Sequence, residues 1–128
     1  MSIEISKIQS VIENELQALE GIIAKSNQSD VSLANGVCQH LIQSQGKRIR
    51  PMLVILSALA TGYHGEENLH LDLACIVEFI HSATLLHDDV IDNSDQRRHQ
   101  KSAHVLWGNT ASILSGDLLY AKAFCMMA

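Results

Sequence analysis

A chain of 128 residues with 47% hydrophobic side chains is long enough for one domain with one core, and too apolar to be disordered. One proline and 4% aromatic residues argue against an all-β domain. A net charge of −5 argues against nucleic acid as a partner, and the basic residues concentrate in Lys47-Arg48-Ile49-Arg50 and Arg97-Arg98, which points to an anionic ligand.

The N-terminal Met1-Ser2-Ile3-Glu4 carries an early acid and no apolar run, so it does not read as a signal peptide. Ser2 is placed to cap a first helix, whose stripe is Ile5, Ile8, Ile12, Leu16, Leu19 and Ile23. Ser26 to Asp30 breaks that pattern, and Asp30 or Ser29 is placed to cap a second helix with Leu33, Val37, Leu41 and Ile42 on its apolar face. Gly46 ends it. Pro51 suits the first turn of a third helix, which puts Lys47 and Arg50 at a helix N-terminus, where backbone donors favour an anion. Met52 to Thr61 is apolar on most faces and reads as a central helix, followed by a turn at Gly62-Tyr63-His64-Gly65. That stretch, Pro51 to Gly62, is too short to span a bilayer.

A long helical pattern then runs from Glu67 to Asp92, followed by a polar loop from Asn93 to Lys101. Ser102 to Trp107 reads as a short helix, and Ala111 to Met127 as a further one. No stretch reads as a pairing strand, so the expected fold is all-α. Cys38, Cys75 and Cys125 form no CxxC pair and read as buried thiols of a reducing compartment. A soluble, cytoplasmic protein without a transmembrane segment is the expectation. The apolar end, Ala123 to Ala128, suggests a covering partner or a longer protein.

The chemistry concentrates at the end of the long helix. Asp88, Asp89 and Asp92 lie where the helix dipole is negative and acids are unfavourable. Asp88 and Asp92 are one turn apart on one face, with about 6 Å between side chains, and Asp89 projects about 100° away but can swing toward the same mouth. Hard oxygen donors without a Cys or paired-His pattern favour Mg²⁺, which keeps waters and takes phosphate oxygens. The acids are therefore half a site whose ligand should bring a diphosphate, with Arg97 and Arg98 as permanent cations for it. His81 lies seven residues before Asp88, on the same face and about 10 Å away. His87 reads as a support to the acids; His40, His64, His70, His99 and His104 have no ligand spacing.

Taken in order, Gly46-Lys47-Arg48-Ile49-Arg50-Pro51, His81-x6-Asp88-Asp89-x2-Asp92-x4-Arg97-Arg98, Leu106-Trp107-Gly108-Asn109 and Gly116-Asp117 resemble the trans-isoprenyl (polyprenyl) diphosphate synthases, with a likeness to the long-chain octaprenyl branch of quinone side-chain synthesis. The resemblance covers nearly the whole chain as the N-terminal part, 1–128, of a single synthase domain. It implies an antiparallel helical bundle of the isoprenoid synthase type, incomplete and with N-terminal helices only. It implies head-to-tail condensation of isopentenyl diphosphate onto a farnesyl- or geranyl-type allylic diphosphate, and commonly a homodimer, for which the last helix is a candidate contact. Asp88 and Asp92 would bind Mg²⁺ with Asp89 in support, and Arg97 would contact the allylic diphosphate. Lys47, Arg50, His81 and Arg98 would hold isopentenyl diphosphate. Ala83 and Thr84, one turn before the acids, would leave the pocket open for a long product. Two departures stand out: His99 where the family usually has Gly, and no second aspartate-rich motif, so that this chain alone is expected to have little synthase activity. A noncatalytic regulatory subunit and a class I terpene cyclase are the alternatives; the intact acids and arginines argue against the first, and the Lys47–Arg50 cluster against the second.

Overall fold

The structure, a computed structural model, describes residues 4–44, 46–64 and 66–128. The expected cap at Ser2 and the turn residue Gly65 lie outside the described residues. In chain order the elements are α1 (Ile5–Val11), α2 (Glu13–Ser26), α3 (Ser32–Ser44), α4 (Ile49–Ala60), α5 (Leu69–Ile91), β1 (Gln96–Arg97), β2 (Gln100–Lys101), α6 (Ala103–Trp107) and α7 (Asn109–Met127). The fold is all-α, as the sequence predicts.

The bundle is built around α5, which packs on α2, α4 and α7 and touches α3 and α6. Leu71, Ala74, Cys75, Ile76, Phe79, Ala83 and Leu86 are buried along it. α5 is long and apolar enough to cross a membrane by length and composition, yet it carries Glu78 and Asp89 buried among the other helices. Burial of those two charges requires partners, and the partners define the site described below.

Several expectations change. The first helix breaks at Ile12, whose N–H reaches Gln9 O at 3.2 Å in place of the regular bond four residues back. The apolar stripe cannot reveal this break because Ile12 stays on it and is fully buried. α3 begins at Ser32, beyond the expected caps: Asn35 reaches back instead, accepting from Ser29 N–H at 2.8 Å and donating to Ser29 O at 2.6 Å. α4 is not central. It buries Pro51, Met52 and Ile55 and leaves Ile49, Leu53 and Leu59 exposed. Cys125 is exposed, whereas Cys38 and Cys75 are buried, with thiols pushed up by burial to about 11 and about 12. The loop after the acids contains a two-stranded hairpin that the sequence reading did not anticipate.

Candidate active site

The acidic end of α5 stops at a defined place. Ser94 N–H bonds Asp89 O at 2.9 Å and Asn93 N–H bonds Val90 O at 3.3 Å, with Asn93 left-handed at φ 51. This is the paired closure that ends a helix through a left-handed residue, a role asparagine tolerates. Just before it, Asp92 N–H bonds Asp88 O at 2.8 Å, so the helical turn runs through Asp92. Asp88 and Asp92 thus keep their one-turn spacing, and both are exposed. Asp89 goes the other way. It is 4% exposed and accepts two hydrogen bonds from Arg97, from Nε at 2.9 Å and from Nη2 at 2.6 Å. That bidentate bond raises the Arg97 pKa against the opposing effect of burial.

The pair fixes the hairpin. Gln96 pairs with Lys101 and Arg97 with Gln100, which leaves Arg98 and His99 as a two-residue turn. Both have positive φ, 49 and 65, as a twist-matched tight hairpin requires at its two central positions. The far side of the loop is held by Ser102 N–H on Asp95 O at 2.9 Å and by the His104 ring at 2.7 Å from Ser94 O.

The basic stretch forms the second wall. Arg48, in the left-handed region at φ 52, precedes α4 and lies between Lys47 and Arg50 in the chain. Its guanidinium bridges two helices: Nε and Nη2 donate to Glu20 of α2 at 2.8 and 3.3 Å, and Nη1 donates to Glu78 of α5 at 3.0 Å. Burial lowers the Arg48 pKa, but Glu20 and then Glu78 more than offset it, so it is raised. Burial pushes the Glu78 carboxyl up, and Arg48 opposes that shift. Lys47, Arg48, Arg50, Glu78, His81 and Arg98 meet in one pocket of about 60 Å³ beside Gly46. Arg50 Nη1 lies 3.2 Å from His81 Nε2, so that nitrogen is the acceptor of a neutral ring. Burial, then Arg50, Arg97 and Arg98, lower the His81 pKa. A Cβ at Gly46 would lie 3.0 Å from Arg98 Nη1, so the missing side chain lets that guanidinium approach the turn.

The structure therefore brings Lys47, Arg50, His81 and Arg98 together, and places Asp88 and Asp92 further along the same α5 face. It engages Arg97 with Asp89. Ala83 and Thr84 separate. Thr84, half-buried, stands about 40° round the helix from Asp88 and bonds its hydroxyl back to His81 O at 2.6 Å. Ala83, about 140° round from Asp88, is fully buried, and its carbonyl lies 3.3 Å from where a Gly116 Cβ would be. On this side α7 lies against α5. His87 bonds Ile113 O at 3.0 Å on α7 and lies 3.3 Å from Asp117, so it ties the two helices together. The sequence reading did not single out Glu20 and Glu78. The spacing of Glu78, three residues before His81, is the signal that was available.

Among the described residues no three His, Cys, Asp or Glu side chains converge to hold a metal by themselves. Two exposed carboxylates one turn apart do fit a hard cation whose other positions are taken by phosphate oxygens and water. A cavity of about 660 Å³ between α2 and α3 contains none of these aspartates and shares only Gly46 and Arg48 with the basic pocket. Volume does not mark the chemistry here; converging charge does.

Residues 31–128 match the family described as polyprenyl synthetase. The chain is 44% identical over 123 residues to octaprenyl diphosphate synthase of Escherichia coli (strain K12), covering 96% of this chain and 38% of that protein. Among solved structures it is similar to a decaprenyl diphosphate synthase from Rhodobacter capsulatus, at 41% identity and a TM-score of 0.91 over 97% of this chain and 38% of that one. It is also similar to a polyprenyl synthase from Caulobacter crescentus, complexed with calcium and isoprenyl diphosphate, at 38% identity and a TM-score of 0.93 over 99% of this chain and 38% of that one. The chain thus spans well under half the length of these relatives.

Proposed function

The chain belongs to the polyprenyl synthetase family, and we propose that it forms one wall of the active site of a Mg²⁺-dependent prenyltransferase. The reaction is head-to-tail 1'-4 condensation of isopentenyl diphosphate onto an allylic diphosphate of farnesyl or geranyl type. The observation that carries the reading is the juxtaposition of the basic pocket around His81 with Asp88 and Asp92 on the same face of α5.

In this reading Lys47, Arg50, His81 and Arg98 bind the isopentenyl diphosphate. Asp88 and Asp92 would hold Mg²⁺, which would supply charge neutralisation for the diphosphate leaving group of the allylic substrate. Arg97 faces that substrate while anchored by Asp89. Positioning the two diphosphates side by side directs the isopentenyl double bond at the allylic carbon as its C–O bond ionises, and a proton is then lost from the new chain. The named relatives support a long product of octaprenyl type, suited to a quinone side chain, and the calcium and isoprenyl diphosphate of the Caulobacter relative support a divalent-cation diphosphate site. A cytoplasmic homodimer completes the proposal; Leu114 and Phe124 on α7, 61% and 63% exposed, give it a contact face. The 128-residue chain by itself turns over little, since the facing acids of the resemblance are not in it.

The test is an assay of the complete reading frame with isopentenyl diphosphate, farnesyl diphosphate and Mg²⁺, with products sized by mass spectrometry. All-trans products grown by several five-carbon units are expected. Cyclised hydrocarbons, or no condensation, would overturn the reading.

A further inference from the structure

Two loops carry the cations of this site, and each is fastened to α5 by an arginine on a buried carboxylate. Arg97 on Asp89 holds the hairpin, and Arg48 on Glu78 holds the basic turn. Glu78 and Asp89 are eleven residues apart, three turns and about 20° round the helix, so both fasteners lie on one side of α5. Among the described residues Lys47, Arg50 and Arg98, which flank these fasteners, have no ion-pair partner. The division is regular: one arginine per loop is tied down, and its neighbours are left for ligand.

We propose that Glu78 is a positioning residue of the basic pocket, acting through Arg48 to hold the turn that presents Lys47 and Arg50. The inference rests on the reading of that pocket as a diphosphate site. Glu78 is 2% exposed and lines the pocket, although a carboxylate there repels the proposed ligand. Charge alone gives it no use in binding an anion. Its use is geometric. Arg48 has left-handed backbone at the start of α4, a conformation that L residues other than glycine disfavour. With Glu78 on one side and Glu20 on the other, its side chain is held at three nitrogens. Released from Glu78, Arg48 has a lone exposed partner, Glu20, whose side chain is 52% exposed, and the turn can relax to ordinary backbone, which separates Lys47 from Arg50.

The test measures binding of inorganic pyrophosphate to the 128-residue chain by calorimetry, with circular dichroism as the control for folding. Removing the buried negative charge predicts tighter binding if only the field matters; loss of the fastener predicts weaker binding. For Glu78→Met, which keeps length and loses the acceptor, we expect binding at least tenfold weaker with helicity retained; unchanged or tighter binding overturns the inference. If Glu78→Met does not fold, Glu20→Gln decides: threefold weaker binding supports the account, and unchanged binding contradicts it. Lys47→Ala and Arg50→Ala separate this result from the underlying reading. If neither weakens pyrophosphate binding, the pocket is not the diphosphate site, whatever Glu78 does.

Discussion

Arg97 grips Asp89, the middle aspartate of the acidic stretch, with Nε and Nη2 on the two carboxylate oxygens. Its neighbours Asp88 and Asp92 remain outside, exposed, at the end of a helix whose dipole disfavours them. A paired, buried carboxylate thus stands between two exposed ones, and the difference in their contribution to stability can be measured.

Asp89→Ala leaves a partly buried guanidinium without its partner. A loss of about 3 kcal/mol is expected, the usual cost of breaking one side of a buried pair. Asp88→Asn and Asp92→Asn remove unfavourable charge from a helix C-terminus and should be neutral or stabilising by about 0.5 kcal/mol. Urea unfolding followed by circular dichroism checks all three. Equal losses at the three positions would contradict that difference.

The sequence made the two walls legible because each rests on local geometry. Offsets of seven from His81 to Asp88 and of four from Asp88 to Asp92 put those side chains on one face of any α-helix. Proline two residues after Ile49 places Lys47 and Arg50 at a helix start. What was not legible depends on contacts distant in sequence: Arg48 meets Glu20 and Glu78 across 28 and 30 residues. Asp89 was read as a support but not as an anchor, because helical spacing gives a direction and no partner. The packing of Ala83 on α7 is likewise a contact that spacing within α5 does not give.

His99 is the unusual residue of the hairpin turn. At φ 65 it pays a left-handed penalty that glycine avoids. His99→Gly is expected to raise stability by about 0.5–1 kcal/mol, in part offset by unfolded-chain entropy. A lower unfolding midpoint for the variant would show that the imidazole makes a contact that outweighs backbone strain.

The α5–α7 contact separates two positions near the acids. Ala83→Phe has no space and should destabilise by about 1–3 kcal/mol. Gly116→Ala should do the same, since its Cβ would fall 2.5 Å from His87 Nε2 and displace that ring from Ile113 O. Thr84→Phe, on the Asp88 side and half-buried, should fold normally and shorten the products of the complete enzyme. Products of unchanged length would remove Thr84 from the pocket floor.

His81 sets a pH dependence. Its pKa is lowered in the folded chain by burial and by Arg50, Arg97 and Arg98, so the unfolded chain takes up the proton first as pH falls. Its neutral form is compatible with full stability above about pH 6.5, and stability falls as pH drops below that toward the folded pKa. In His81→Gln the loss of stability between pH 7 and 5 should be smaller. A bound diphosphate should reverse the shift, so binding should take up a proton in the wild type and less in the variant; calorimetry in buffers of different ionisation enthalpy reads this directly.

The central claim is that Asp88 and Asp92 form a cation site completed by diphosphate, while Asp89 serves only the hairpin. The direct measurement is pyrophosphate binding to the 128-residue chain with and without Mg²⁺. The account predicts that Mg²⁺ tightens binding at least tenfold in the wild type, and that Asp88→Asn or Asp92→Asn abolishes this gain while leaving Mg²⁺-free binding intact. A Mg²⁺ effect that is absent, or that survives loss of both aspartates, would contradict it.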